Sequence, residues 1–432
     1  MSVLSVQRIL VVVLVSFLLA TPSAAQTGHV LNGIGAVNQS MAGAGTGHPL
    51  DASGALQWNP AGITALGSSQ IQFSMELLKP TSEVTSSVSF PGKMSGSTES
   101  DAGISPIPSF GLVHQIEDSN WSWGIGAFGI SGFGVDYRED ASNPILMAPP
   151  NGFGAVYSQF QMLQLAPTAA YQMDENWSFG IAPTINWAQL AVDPMCGSPP
   201  DDANGDTVAT YPSAAQADSS WGYGAQIGVF YSDAQSGWNF GASYKTKQDF
   251  QDFNWNSTDE IGNFRRLTLD LDFPAIASIG VGYSGFKDLE LIADVRYIDY
   301  KNTDGFGEAK FNRDFSVNGF GWDSIFVLAL GLQYQLSESF WVRAGYAYNE
   351  NPIPDANSTF NLPAPAVIQH HASFGLSWAL SNSSFLDLGY RHGFENSVEG
   401  QMGHPTMGKV PGSSVKNSLS TDSLLLGIRV NF

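Results

Sequence analysis

Three short stretches of the chain carry residue types that could do chemistry. Gly124-Ile-Gly-Ala-Phe-Gly129 has the glycine spacing of a dinucleotide-binding turn. That chemistry needs a helix N-terminus directly after the last glycine to hold a pyrophosphate. Here the glycines lie inside Trp121–Tyr137, which reads as a strand with no helical pattern behind it, so the phosphate reading fails. Asp202-Ala-Asn-Gly-Asp206 offers oxygen ligands but lacks the length and closing glutamate of an EF-hand loop. His370-His371 comes without a third ligand at coordinating spacing. No Ser, His and Asp set has catalytic context, so the expectation is a protein with no enzymatic activity, no metal and no cofactor, a lipase being the weak alternative. What remains is a set of cations: Lys245, Lys247, Arg296, Arg343, Arg391 and Arg429. An arginine fork can grip both oxygens of a carboxylate. The competing role for each is an ion-pair ladder with Glu290, Asp294 or Asp387.

These cations share one parity of alternating segments. Trp238, Phe240, Ala242 and Tyr244 oppose Asn239, Gly241, Ser243, Lys245 and Lys247, and Leu289, Leu291, Ala293, Val295 and Tyr297 oppose Glu290, Asp294 and Arg296. At the chain's end, Leu424, Leu426, Ile428, Val430 and Phe432 oppose Gly427, Arg429 and Asn431. Alternation of this kind predicts strands with one apolar and one polar face. Fourteen such segments recur, near 69–79, 107–116, 120–137, 158–173, 176–192, 219–232, 237–249, 266–284, 288–301, 324–336, 339–349, 367–380, 384–396 and 420–432. Their connections alternate between short turns, such as Asp174-Glu175, and long loops. Even strand number and sorted loop lengths are the architecture of outer-membrane barrels, and a soluble sandwich has no reason for either.

Composition agrees. Charged residues make up 13%, aromatics 12%, and there are 46 glycines, which fits repeated strands and turns rather than disorder. Arg8, the apolar run Ile9–Ala20 and Ser23-Ala24-Ala25 read as a signal peptide over residues 1–25. No later run approaches the roughly 18 apolar residues of a membrane-spanning helix. The net charge of −21 argues against nucleic acid, and acids such as Glu139, Asp140, Asp201, Asp202 and Asp206 fall in predicted loops. Cys196 is the single cysteine, so it forms no internal disulfide. The predicted fold class is therefore all-β, a 14-stranded antiparallel transmembrane barrel over residues 68–432 in the bacterial outer membrane.

Residues 26–67 lack strand alternation. They contain Ala42-Gly43-Ala44-Gly45, then Asp51-Ala52-Ser53, then Asn59-Pro60-Ala61-Gly62-Ile63. A glycine-rich start with these motifs in this order, just after a signal and ahead of a barrel, resembles the hatch of the outer-membrane channels for long-chain fatty acids and hydrocarbons (FadL/TodX type). The resemblance spans the mature chain and is strongest over residues 30–66. It implies a 14-stranded barrel whose N-terminal segment plugs the lumen, with Asn59, Pro60, Ala61 and Gly62 as the hatch motif. It also implies passive uptake: capture at outer loops, transfer to an inner pocket, and lateral release at an inward kink of the third strand. Gly129, Gly132 and Gly134 would form that kink, although the Pro-Phe-Gly common in the family reads Gly132-Phe133-Gly134 here. Further expectations are a monomer, contact with outer-membrane lipid, and recognition of Phe432 by the barrel-assembly machinery.

A fatty-acid pocket would be mostly apolar with a few fixed polar groups. Phe128, Phe133, Lys245, Lys247, Arg296 and Arg343 are the ligand-binding candidates. Pro144-Ile-Leu-Met-Ala-Pro-Pro150 makes Ile145, Leu146, Met147 and Phe153 candidates for first capture, and Phe250, Phe253, Trp255 and Phe264 invite the same reading. Long-chain fatty acids are the leading solute, neutral aromatic or aliphatic hydrocarbons the second, and a hydrophilic porin or an adhesin the readings of another class.

Overall fold

The computed structural model describes residues 27–89 and 92–432. The expected signal peptide lies outside the described residues. Fourteen strands close into one antiparallel barrel: β1 Gln70–Val88, β2 Ser105–Gln115, β3 Trp121–Tyr137, β4 Val156–Gln172, β5 Trp177–Asp193, β6 Ala214–Asp233, β7 Trp238–Lys245, β8 Ile276–Phe286, β9 Leu289–Ile298, β10 Ile325–Ser337, β11 Phe340–Asn349, β12 His370–Ala379, β13 Ser384–Gly400 and β14 Ser413–Asn431. Each strand pairs with its neighbour in sequence, and β14 closes the ring on β1 from Gln70↔Asn431 to Val88↔Ser413. Closure leaves no edge strand for the ring as a whole, the condition a sheet must meet in hydrocarbon.

Alternation dictates the faces. On β14, Leu424, Leu426 and Ile428 are exposed outward while Ser423, Leu425, Gly427 and Arg429 are buried inside. Ile279, Phe326, Leu330, Phe374 and Trp378 extend the same apolar belt around the barrel. A soluble protein does not expose so large a continuous apolar surface. Here it is the lipid-facing wall of a transmembrane barrel. Among the described residues no helix is long and apolar enough to cross a membrane.

The three largest departures from the expected strand boundaries are in β1, β8 and β14. β1 runs on to Val88 and folds back as Met94–Glu99, which pairs onto it, so much of the expected first loop is sheet. Phe264–Leu269 does not belong to β8; it pairs with Phe253–Thr258 as a ribbon within the loop, and β8 starts at Ile276. β14 starts seven residues ahead of the expected 420, at Ser413. In β1 and β14 the extra length is polar alternation above the apolar belt, which carries no membrane signature, whereas Phe264–Leu269 alternates like a barrel strand without belonging to one.

Residues 27–66 thread the inside of the ring. Two short helices, α1 (Gly35–Ser40) and α2 (Ala52–Trp58), and a 3₁₀ turn at Pro60–Ala65 organise them. Asp51 caps α2 by accepting from the Gly54 amide at 3.2 Å. Gly43 has φ +82°, and a Cβ there would collide with the Asn32 carbonyl.

Candidate functional site

The lumen is held by a buried polar lattice between strand and inner segment. Asp294 on β9 accepts the amides of Gly45 (2.7 Å), Thr46 (2.8 Å) and Gly47 (3.3 Å), together with the Arg296 guanidinium at 2.9 Å. Arg296 also bonds the Gly43 carbonyl and lies 3.6 Å above the Trp58 ring. Asn59 donates to the carbonyls of Thr46 (3.1 Å) and Val229 (3.0 Å) and accepts the Ala61 amide at 3.1 Å. Pro60, Ala61 and Gly62 follow it in the 3₁₀ turn. One asparagine thus ties the inner segment to β6 and starts the next turn.

The other lumen cations are also engaged. Lys245 donates to Gln57 (3.0 Å) and Gln164 (2.9 Å), and Arg343 to Gln333 and Ser377, both at 2.6 Å. Arg391 pairs with Glu76 at 2.6 Å and Arg429 with Asp387 at 3.4 Å. Lys247 lies beyond the end of β7, among Asp272 (2.7 Å), Asp304 (2.8 Å) and Asp249 (3.1 Å). The four cations expected to bind a ligand are therefore not gathered around one space.

β3 is where the wall departs from regularity. Its pairing with β2 runs from Gln115↔Ser122 to Ser109↔Phe128 and stops, whereas its pairing with β4 continues to Tyr137↔Val156 with a register shift between Gly129 and Ser131. Below the stop the strand alternates; from Phe128 to Val135 every residue is buried. A strand buried on both faces has turned inward from the wall. Its released edge is taken up by the inner segment: the Leu31 amide donates to the Ile130 carbonyl at 2.9 Å, the Gly132 amide to the His29 carbonyl at 3.1 Å, and the Ser131 hydroxyl to that same carbonyl at 2.8 Å. Gly129, Gly132 and Gly134 all fall in this stretch.

Above the bend is a cavity of about 110 Å³, bounded by Phe133 of β3, Leu190 of β5 and loop residues including Phe153, Met195, Phe320 and Phe360. Among the described residues no charged side chain lines it. Cys196 is on its wall; burial pushes this thiol up to about 12, and the neighbouring Asp193 adds to the rise. Phe153 thus meets the cavity. Ile145 and Leu146 instead pack with Val84, Val135, Tyr137 and Leu362, and Met147 is half-buried beside them. Phe253 and Trp255 are buried and Phe264 is exposed.

Phe133 leads inward from the cavity to an aromatic cluster that the sequence did not single out. Phe133 stacks on Phe160 at 5.0 Å, and Phe320 packs at a tilt against Phe306 at 5.6 Å. At the cluster's centre His29 has Phe306, Tyr300, Phe273, Trp322 and Phe160 within 4.5–6.0 Å. The Tyr300 hydroxyl donates to the Thr27 carbonyl at 2.8 Å and accepts the His29 amide at 3.1 Å. Phe128 is buried in the same core. The loop between β9 and β10 supplies Tyr300, Phe306, Phe320 and Trp322, and their density there was the available signal.

A barrel with an internal N-terminal segment, one strand bent inward and an apolar cavity above the bend has relatives of known structure. The toluene transporter TodX of Pseudomonas putida superposes with a TM-score of 0.68 at 19% identity, covering 93% of this chain and 99% of that one. A FadL homologue of Pseudomonas aeruginosa gives 0.72 at 15% identity, covering 94% and 100%. By sequence, the long-chain fatty acid transport protein of Escherichia coli O6:H1 is 22% identical over 416 residues, 88% of this chain and 90% of that protein. The family model described as outer membrane protein transport protein (OMPP1/FadL/TodX) matches residues 17–432, and the chain belongs to that family of bacterial outer-membrane barrels.

Proposed function

We propose that this barrel is a passive channel for uptake of hydrophobic compounds, with residues 26–67 as its hatch. Solute enters the apolar cavity beside Phe133, moves along the aromatic cluster around His29, and leaves sideways where β2 and β3 part. The observation that carries this reading is the interrupted β2–β3 seam directly beneath the cavity, with Phe133 common to both. An apolar solute crossing there passes from one apolar environment to another and meets no water, so no coupled energy source is needed.

Long-chain fatty acids are the solute class named for the curated relatives. A second reading, neutral hydrocarbons, is favoured by one specific observation: the cavity has no charged lining, and the lumen cations Arg296, Arg391 and Arg429 are already paired with carboxylates. A carboxylate entering this cavity would leave water with no charged partner on the lining, at a cost of several kcal/mol. A cavity of about 110 Å³ is also of the order of the roughly 150 Å³ apolar cavity that accepts benzene.

The test is uptake in cells lacking their own channel, comparing labelled oleate, labelled toluene and a small sugar. Entry of either apolar solute without the sugar upholds the channel, and the oleate-to-toluene ratio chooses between the two solute classes. Sugar entry would make the protein a hydrophilic porin.

A further inference from the structure

We propose that Pro106 and Pro108 of β2 are gate-positioning residues, holding open the seam through which the channel reading above releases solute. The inference rests on that reading and on the direction of each backbone N–H in β2. At the foot of the strand, the Gln115 amide points to β1's side, donating to Ser69 Oγ at 2.9 Å, and the Ile116 amide points to β3, donating to the Trp121 carbonyl at 3.3 Å. Successive residues of a strand serve opposite neighbours. Odd-numbered residues of β2 therefore face β1, and even-numbered ones face β3.

Following β3's side upward, the pairs are His114↔Trp123, Leu112↔Ile125 and Phe110↔Ala127. The next two positions on that side are Pro108 and Pro106, neither of which has an N–H. Pairing to β3 ends at this point. Ser105, Ile107 and Ser109 alternate with the prolines and keep their donors toward β1, where pairing continues to Leu78↔Ser105. Ser-Pro-Ile-Pro-Ser thus removes the donors facing the gap and spares those facing the wall.

The effect is physical. In hydrocarbon, two facing rows of unpaired backbone groups would zip together, since nothing else can satisfy them. Proline is tolerated in a sheet where a strand has a free edge. Here it creates a local edge inside a closed barrel. The opposing edge is quenched by His29 and Leu31, so neither side of the seam is free to close on the other. Of the even positions of β2, Pro106, Phe110 and Leu112 are half-buried on the outward parity and Pro108 is buried, so a valine at 106 has outward room, one at 108 occupies the space the pyrrolidine ring leaves, and the change common to both is the restored N–H.

The experiment is Pro106→Val/Pro108→Val, studied for uptake and, in a Cys196→Ser background, for disulfide formation between Ile107→Cys and Ile130→Cys. These two positions face each other only if the β2–β3 register continues upward. In the valine variant the two cysteines are expected to link on oxidation; with the prolines present they do not. Uptake of whichever solute the proline form carries should fall roughly 25-fold, about fivefold for each restored hydrogen bond. Equal linking with and without the prolines overturns the proposal, as does linking without loss of uptake in a protein that transports. If the proline form carries neither oleate nor toluene, the channel reading fails separately, and linking alone decides whether the prolines hold the seam. The single Pro108→Val variant, with intermediate linking expected, serves if the double variant does not reach the heat-modifiable folded form.

Discussion

At the residue scale, Asp294 concentrates the most consequences in one side chain. Its two oxygens satisfy three successive amides of the inner segment and one face of Arg296, all fully buried. Removing one partner of a buried ion pair leaves the other charge uncompensated, which costs about 3–5 kcal/mol. That penalty falls on the docking of residues 43–47 and not on strand pairing, because β9 keeps its register with β8 and β10. Asp294→Ala is therefore expected to give a folded barrel that leaks. Liposome swelling should show sugar entry absent from the wild type, while heat-modifiable migration stays normal. Swelling equal to wild type would mean that this contact does not hold the lumen closed. Alternation offers Asp294 as one of three carboxylates, with Glu290 and Asp387, that could pair with the lumen cations, and it pairs with Arg296. What alternation could not convey is that the ladder's chief partner is backbone: three amides from a glycine-rich turn far away in sequence.

At the element scale, β3 explains both what was legible and what was not. Five glycines fall inside it, and its register shifts between Gly129 and Ser131. The motif departure at position 132 also has a reason. A proline there would have no N–H, and in this chain the Gly132 amide donates to the His29 carbonyl at 3.1 Å. Gly132→Pro is thus expected to keep the bend and lose one tether to the inner segment, loosening it by about 1 kcal/mol. Hydrogen exchange of the amides of Val30 and Leu31 should quicken roughly fivefold, with the amides of β4 unchanged. Unchanged exchange at both would show that the tether carries no weight. The fourteen strands themselves were readable because the lipid imposes period-2 alternation on every one of them. Strand extensions above the membrane, at Thr81–Val88 and Ser413–Leu419, lacked that imposition and read as loop. Phe264–Leu269 failed in the opposite sense, since a loop ribbon alternates just as a barrel strand does. The aromatic cluster around His29 was illegible because its members come from the inner segment, β4 and two loops, which only closure of the barrel brings together.

At the scale of the whole molecule, charge and apolar surface are segregated, and this bears on which solute can approach. The chain carries a formal charge of −21. Its lumen cations Arg296 and Arg391 are buried and paired, while acids of the long loops such as Glu139, Asp202 and Asp206 are exposed beyond the strands. An anion nearing such a surface is repelled over a Debye length, roughly 30 Å at 0.01 M salt and about 8 Å at 0.15 M. A neutral solute feels nothing of this field. The dependence of entry on ionic strength therefore distinguishes the two solute classes without any mutation. Raising salt from about 0.01 to 0.15 M should speed oleate entry several-fold through relief of repulsion and leave toluene entry unchanged. The comparison is made on initial rates, with osmolarity held constant by sugar that the closed lumen excludes. If oleate enters at the same rate at both salt concentrations, the acidic loops do not lie across its path. A carboxylate-tolerant route from the outside to the cavity would then have to exist, and the fatty-acid reading would gain over the hydrocarbon one.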